Sequence, residues 1–169
     1  MSQSAAAHRQ AAPKRLRYCV LTISDTRTLE TDSSGQLIAE HMAAAGHSQV
    51  ERRIVPDEPH QIRAVVKEMV QLEELDVILA TGGTGISPRD QTPEAIEPLF
   101  DVFIPGFGEM FRMLSYQEIG AATMLSRATA GRVGKTLVFA LPGSSNAVRL
   151  AMEKLLVPEL PHLVHHSRG

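Results

Sequence analysis

Short apolar runs alternate along the chain with stretches in which apolar residues recur every three or four positions. Tyr18-Cys19-Val20-Leu21-Thr22-Ile23 is a continuous, mainly apolar run, the mark of a strand buried on both faces. The polar turn Ser24-Asp25-Thr26 ends it. Thr31-Asp32-Ser33-Ser34-Gly35 then opens a helix with Leu37, Ile38 and Met42 on one side, and Gly46 is a fitting stop. A second, more polar strand is expected over residues 50–55, nearer a sheet edge. Pro56-Asp57-Glu58-Pro59 breaks it, and Ile62, Val65, Val66, Met69 and Val70 follow at the spacing of an amphipathic helix.

Asp76-Val77-Ile78-Leu79-Ala80 is the clearest strand, and it runs straight into Thr81-Gly82-Gly83-Thr84-Gly85. Thr92-Pro93-Glu94 reads as a helix start, with Thr92 as N-cap and Pro93 at the first helical position. Residues 102–104 suggest a short strand. Pro105-Gly106-Phe107-Gly108 leads into a helix carrying Met110, Phe111, Met113 and Leu114, ended by Gly120. The chain is expected to extend again over 126–130, to turn over 131–135, and to form a buried strand from Thr136 to Leu141. After Pro142-Gly143-Ser144-Ser145 a last helix carries Val148, Leu150, Ala151, Leu155 and Leu156.

Strands alternating with helices through short connections predict an α/β fold with a mostly parallel sheet covered by helices on both faces. One domain spans 16–169, behind a tail over 1–15. In such folds ligands bind at the carboxyl ends of the strands. Ser24-Asp25, Pro56-Asp57, the glycine-rich loop and Pro142-Gly143-Ser144 each directly follow an expected strand. A parallel sheet would therefore bring all four to one edge.

Composition narrows the function classes. A chain of 169 residues suits one domain, and 43% apolar residues suffice for a core. With 4% aromatics and no Trp, that core must be built from Val, Ile, Leu, Ala and Met. A net charge of −2 without a basic block argues against nucleic acid as a partner. Cys19 stands alone, which excludes a disulfide framework and a cysteine zinc site and suggests a core thiol. No apolar run approaches the roughly 20 residues of a membrane span. The first fifteen residues lack an apolar targeting core. With Arg9, Lys14 and Arg15 and no acid they faintly resemble a transit peptide, but a disordered tail and a cytoplasmic location are the expectation.

The glycines of the 81–85 loop allow positive φ and close approach of a ligand, and successive N–H groups there can form an anion nest. The spacing is neither that of a P-loop nor GxGxxG. A tight turn without ligand is the alternative. A carboxylate at Asp90 beside such a nest repels phosphate unless a cation lies between, and Mg²⁺ is the natural bridge. Arg89 offers direct neutralisation. Asp90 and Asp57 could instead cap the helices that follow them, and Ser24-Asp25 could be an Asx-type turn. Gly143, Ser144 and Ser145 open a helix, where free N–H groups attract anions, with capping by Ser144 as a compatible reading. His162, His165 and His166 lie together without an expected carboxylate or cysteine partner, so a metal site there is disfavoured. The methionines read as core filler.

The run from Thr81 to Ala95, TGGTGISPRDQTPEA, resembles the signature of the MoaB/MogA family of molybdenum cofactor biosynthesis proteins, related to the gephyrin G domain. Pro105-Gly106-Phe107-Gly108-Glu109, the stretch Leu114 to Gly120, Leu125-Ser126-Arg127 and Leu141-Pro142-Gly143-Ser144 fit in order. The resemblance covers the chain from about residue 16, and Phe111 to Tyr116 with the short C-terminus resembles the MoaB branch. It implies a three-layer α/β domain assembled as a homotrimer or homohexamer. It implies transfer of AMP from Mg-ATP to the terminal phosphate of molybdopterin, releasing pyrophosphate, with a downstream molybdenum-insertion enzyme as a further partner. Asp57 and Asp90 match the two aspartates of active members, as catalytic residues and Mg²⁺ ligands. Thr22, Ser24, Asp25, Gly82, Gly83, Thr84, Gly85, Thr92, Pro105, Gly106, Glu109, Ser126, Pro142, Gly143, Ser144 and Ser145 are then the expected lining of the ATP and pterin pockets. A non-catalytic pterin-binding or assembly protein of the same fold is the alternative. A generic nucleotide hydrolase is weaker, because no water-activating base stands out.

Overall fold

The computed structural model describes residues 13–168. The tail expected over 1–15 therefore lies, up to residue 12, outside the described residues. Six strands form one sheet in the order β2-β1-β3-β6-β5-β4. They are β1 (Arg17–Ile23), β2 (Ser48–Val55), β3 (Val77–Thr81), β4 (Val102–Phe103), β5 (Thr129–Val133) and β6 (Thr136–Leu141). β2, β1, β3 and β6 are mutually parallel, and β5 and β4 join antiparallel at the far side. β2 is an edge strand, as its polar pattern predicts.

Strand side chains alternate between the two faces. On one face Tyr18, Val20, Leu79, Leu137 and Phe139 pack under α1 (Ser33–Ala44), through Ile38 and Met42. The same cluster takes in Phe107 and Phe111 and the C-terminal helices. On the other, Cys19, Leu21, Ile78, Ala80 and Val138 pack under α2 (Pro59–Met69), through Ile62, Val66 and Met69, and under α3 (Thr92–Ile96). The result is three layers. Cys19 is fully buried, and burial pushes its thiol up to about 11. The first face also carries α4 (Pro105–Ile119) and α5 (Ser145–Ala151), which continues through one π-turn (Met152–Leu156) into α6 (Val157–Arg168).

Two local expectations change. The strand after residue 126 begins later and runs to Val133, so the turn is only Gly134-Lys135, closed by the Val133↔Thr136 pair. Gly131, expected in the turn, is a strand residue because the Phe100 ring lies against it; a Cβ there would sit 2.3 Å from that ring. Thr92 is not the cap of α3. It is the first helical residue after Gln91, and its hydroxyl donates to the Gly82 carbonyl at 2.9 Å.

Candidate active site at the carboxyl rim

β1, β2, β3 and β6 are parallel, so the loops after Ile23, Val55, Thr81 and Leu141 meet at one rim. Their ends are in register: Ile23 pairs with Val55, Thr22 with Thr81, and Thr81 with Leu141. The Ser24 N–H donates to the Val55 carbonyl, the Gly82 N–H to that of Leu141, and the Thr81 hydroxyl to that of Pro142. These bonds tie the loops together before any ligand arrives.

The glycine loop needs its glycines. Gly82 has φ 106° and Gly83 φ 63°, in the region that favours glycine. A Cβ on Gly82 would lie 2.2 Å from the Ile23 carbonyl oxygen. On Gly83 it would meet Thr92 Oγ1 at 2.3 Å and Asp57 Oδ2 at 3.0 Å, and on Gly85 it would meet Asp90 Oδ2 at 2.7 Å. The two aspartates thus flank the loop, each against the Cα of one glycine.

Neither carboxylate caps a helix. Asp90 Oδ2 accepts from the Ser87 N–H at 2.9 Å, which closes the loop on itself. The helix after Asp57 begins from Glu58 with no side-chain cap. The Asp57 N–H donates to Asp25 Oδ1 at 3.0 Å, while Asp57 Oδ1 is buried with no hydrogen-bond partner. Burial pushes the Asp57 carboxyl up, and the charges of Asp90 and Asp25 add to it, while the Gln91 N–H partly offsets both. Asp25 behaves oppositely. The Arg89 guanidinium, bound to Asp25 Oδ2 at 2.6 Å, and the Asp57 N–H hold it below the usual carboxylate range. Arg89 also donates to Glu58 at 2.8 Å.

A cavity of about 410 Å³ opens on this loop. Gly83, Thr84, Gly85, Asp90, Ser126, Pro142, Gly143 and Ser144 line it, with Phe111, Ile119 and Leu125 as an apolar wall. Ser144 also caps α5, accepting from the Ala147 N–H at 3.3 Å, and the Ser34 hydroxyl donates to the Gly143 carbonyl at 2.7 Å. Ser145 meets the Ser33 hydroxyl at 3.3 Å.

Other expected lining residues stand elsewhere. Thr22 is buried and donates to Asp32 Oδ2 at 2.7 Å, so its hydroxyl serves the scaffold. The Ser24 hydroxyl accepts from the Thr26 and Arg27 N–H groups and shapes its own turn. Pro105 and Glu109 line an adjoining cavity of about 340 Å³ that shares Ser126 but holds none of the loop glycines. Gly106 is exposed, and a Cβ there would point into open space. His162 has a carboxylate partner after all, Glu159 at 3.2 Å, one helical turn away.

Arg127, the last residue of the resembling Leu125-Ser126-Arg127 stretch, has a role that its sequence does not signal. The backbone N–H of Arg127 donates to the Thr84 carbonyl at 2.9 Å, its Nε to that of Gly85 at 2.8 Å and its Nη2 to that of Asp90 at 2.6 Å. Its Nη1 pairs with Glu94. Arg127 therefore clamps the glycine loop, the aspartate and α3 at once. The only sequence signal is an arginine next to Ser126; the loop it grips is some forty positions earlier.

Residues 19–162 match the family model described as "Probable molybdopterin binding domain". The chain is 52% identical over 157 residues to molybdenum cofactor biosynthesis protein B of Bacillus cereus, covering 92% of this chain and 93% of that one. The chain belongs to the MoaB/MogA family. A crystal structure of a molybdenum cofactor biosynthesis protein B superposes with a TM-score of 0.89 at 51% identity, over 93% of this chain and 98% of that one. The tungsten cofactor synthesizing protein MoaB from Pyrococcus furiosus superposes at 0.83 with 41% identity, over 94% and 100%. As a MoaB-family protein the chain acts in molybdenum cofactor biosynthesis. Among the described residues no helix is long and apolar enough to cross a membrane.

Proposed function

We propose that the chain is a molybdopterin adenylyltransferase, forming adenylylated molybdopterin and pyrophosphate from molybdopterin and Mg-ATP. The observation that carries this reading is the buried, unpartnered Oδ1 of Asp57 beside Gly83, with Asp90 across the same loop. A phosphate nest flanked by two carboxylates is repulsive as it stands. A divalent cation between carboxylate and phosphate oxygens removes that conflict. Among the described residues no group of three or more His, Cys, Asp or Glu side chains is arranged around a metal position. Mg²⁺ is commonly held by one or two carboxylates together with substrate phosphates and water. Asp57 and Asp90 would hold it, and the bound ion would supply charge neutralisation at the transferring and leaving phosphates.

The transfer itself asks for positioning. A terminal phosphate oxygen of the pterin attacks the α-phosphorus of ATP, the α–β bridging P–O bond breaks, and pyrophosphate leaves with the electron pair. The nucleophile is already ionised at neutral pH, so no strong base is needed, and preorganised donors do most of the work. The amides of residues 83–85 and those of Ser145 and Asn146 supply those donors, and Arg127 keeps the first set in place.

An assembly of three copies, or two sets of three, has a surface to use. Met110, Met113, Tyr116, Ile119, Met124 and Leu125 expose large apolar side chains along α4 and the turn after it. Ile119 and Leu125 also wall the ligand cavity, so a second copy seated there would complete its rim. Adenylylated molybdopterin would then pass to a molybdenum-insertion enzyme.

The test is purified protein with molybdopterin, ATP and MgCl₂, with product read by chromatography. Mg²⁺-dependent product that vanishes in Asp90→Asn supports the transferase. Product unchanged in both Asp57→Ala and Asp90→Asn overturns the roles given to them. Molybdopterin binding without product replaces the transferase with a non-catalytic pterin-binding protein.

A further inference from the structure

The amino ends of the same strands form the opposite rim, and there the charge balance is reversed. Arg17 opens β1, Asp76 stands just before β3, and Lys135 just before β6. With Arg15, Glu74, Arg132 and Arg168 they line a cavity of about 690 Å³. It is larger than the 410 Å³ cavity at the glycine loop, and the length of β3, about 17 Å, separates the two rims.

Two of the five cations are neutralised. Arg168 pairs with Asp76 Oδ1, and Arg17 Nη1 lies 3.5 Å from Glu74 Oε2. The second oxygen of Asp76 accepts from the Arg17 backbone N–H at 2.6 Å, so this acid has little left to offer. Arg15 donates to the Ser48 hydroxyl, and Arg132 Nη1 to the Gly134 carbonyl at 3.2 Å; both partners are neutral. Among the described residues no carboxylate lies within ion-pair distance of Arg15, Arg132 or Lys135. Three positive charges, Arg15 ahead of β1 and Arg132 and Lys135 of one hairpin, thus line one cavity without an ion-pair partner; the one carboxylate bonded to that hairpin's turn, Asp101, accepts from the Gly134 N–H at 2.7 Å. An anion among them would gain from all three charges at once. Residues 1–12 include His8 and Arg9 but no acid, so the leading segment of the chain lacks the charge to do it.

We propose that this cavity is a second anion site, which takes a small oligophosphate held by Arg15, Arg132 and Lys135. Two planar guanidinium forks and one ammonium suit an elongated anion that presents oxygens on several sides. A volume near 690 Å³ lies within the range of small-ligand pockets. The site needs no metal and does not depend on the activity proposed for the other rim.

Calorimetric titration of the full chain with tripolyphosphate, without Mg²⁺ and at fixed ionic strength, tests this directly. Binding is expected to weaken at least tenfold in the Arg132→Gln/Lys135→Gln double variant and to persist in Asp90→Asn. Both double-variant positions lie at a surface hairpin, so the fold is retained. Hydrogen exchange should slow around residues 132–137 and 165–168. Equal affinity in the double variant, or slowing only at 82–90, overturns the proposal, because the anion then sits at the glycine loop or elsewhere. So does citrate binding as tightly as tripolyphosphate, which would mean unselective charge attraction.

Discussion

The two rims of the sheet are built from the same four strands and carry opposite problems. At the carboxyl rim Asp25, Asp57, Glu58 and Asp90 crowd around glycine amides, and the cation bound among them, Arg89, is engaged by Asp25 and Glu58. At the amino rim cations outnumber carboxylates around an open cavity. Each arrangement is incomplete by charge, and the missing partner differs in sign. Backbone hydrogen bonds tie the strand ends at both rims, at the amino rim from the Asp76 N–H to the Arg17 carbonyl and from the Leu137 N–H to that of Asp76. The carboxyl rim adds the side chains of Arg127 and Thr92, which donate to carbonyls of the glycine loop, whereas the charges of the amino rim sit on long side chains. Locking suits a site that must position reacting phosphates. Cations on long side chains suit binding alone.

The largest effect is expected where this comparison is broken outright. Asp57→Ala or Asp90→Asn should lower AMP transfer by about a hundredfold to a thousandfold, as removal of a group that stabilises transition-state charge does; product formation measures it. Asp32→Ala should cost about 3–5 kcal/mol of stability, read by denaturant unfolding. It leaves Arg52 as an unpaired charge over α1 and removes the cap accepted from the Gly35 N–H. Arg127→Ala should cost about 2 kcal/mol, the scale of a charged hydrogen bond, and should reduce kcat more than it raises KM, because it disorders donors rather than removing a contact.

A smaller and opposite effect sharpens the picture. Asp57→Asn should raise the stability of the metal-free protein by about 1 kcal/mol while lowering transfer as far as Asp57→Ala does, because a buried charge with one unpartnered oxygen is gone. Saturating Mg²⁺ should raise the melting temperature of the wild type and leave that of this variant unmoved. The smallest effect is on pH dependence. Burial alone would raise the Asp32 carboxyl, but the Gly35 N–H, the Thr22 hydroxyl and Arg52 pull it lower. A carboxyl that is a stronger acid when folded stabilises the fold above its unfolded value, about 3.9, and that contribution is lost as pH falls through the folded value. Asp57 has the reverse sign: its penalty is full at neutral pH and fades as the carboxyl protonates. Stability of the Asp57→Asn variant should therefore gain less on mild acidification than that of the wild type, as urea midpoints from pH 7 to 4.5 would show.

The carboxyl rim was legible in sequence because its residues lie next to strand ends. A continuous apolar run followed by a polar cluster is a local signal, and four such junctions converge once the strands are parallel. Pairing decides the rest. Thr22 reads like its neighbours Ser24 and Asp25, yet it is one residue inside the strand and its hydroxyl is used by Asp32. Pro105 and Glu109 form part of the resembling turn but face the adjoining cavity. The amino rim has no local signature. Arg15 with Arg17, Arg132 with Lys135, and Arg168 lie on three distant stretches of sequence, and only the fold brings those stretches to one cavity.

Cys19 also makes the molecule its own clock. It is the single cysteine of the chain, fully enclosed, with a thiol pushed up to about 11. A thiol-reactive dye at neutral pH will find nothing until the central strands part, so the labelling rate reports whole-domain opening. The readout comes without introducing any foreign residue, and each substitution above can be ranked on it.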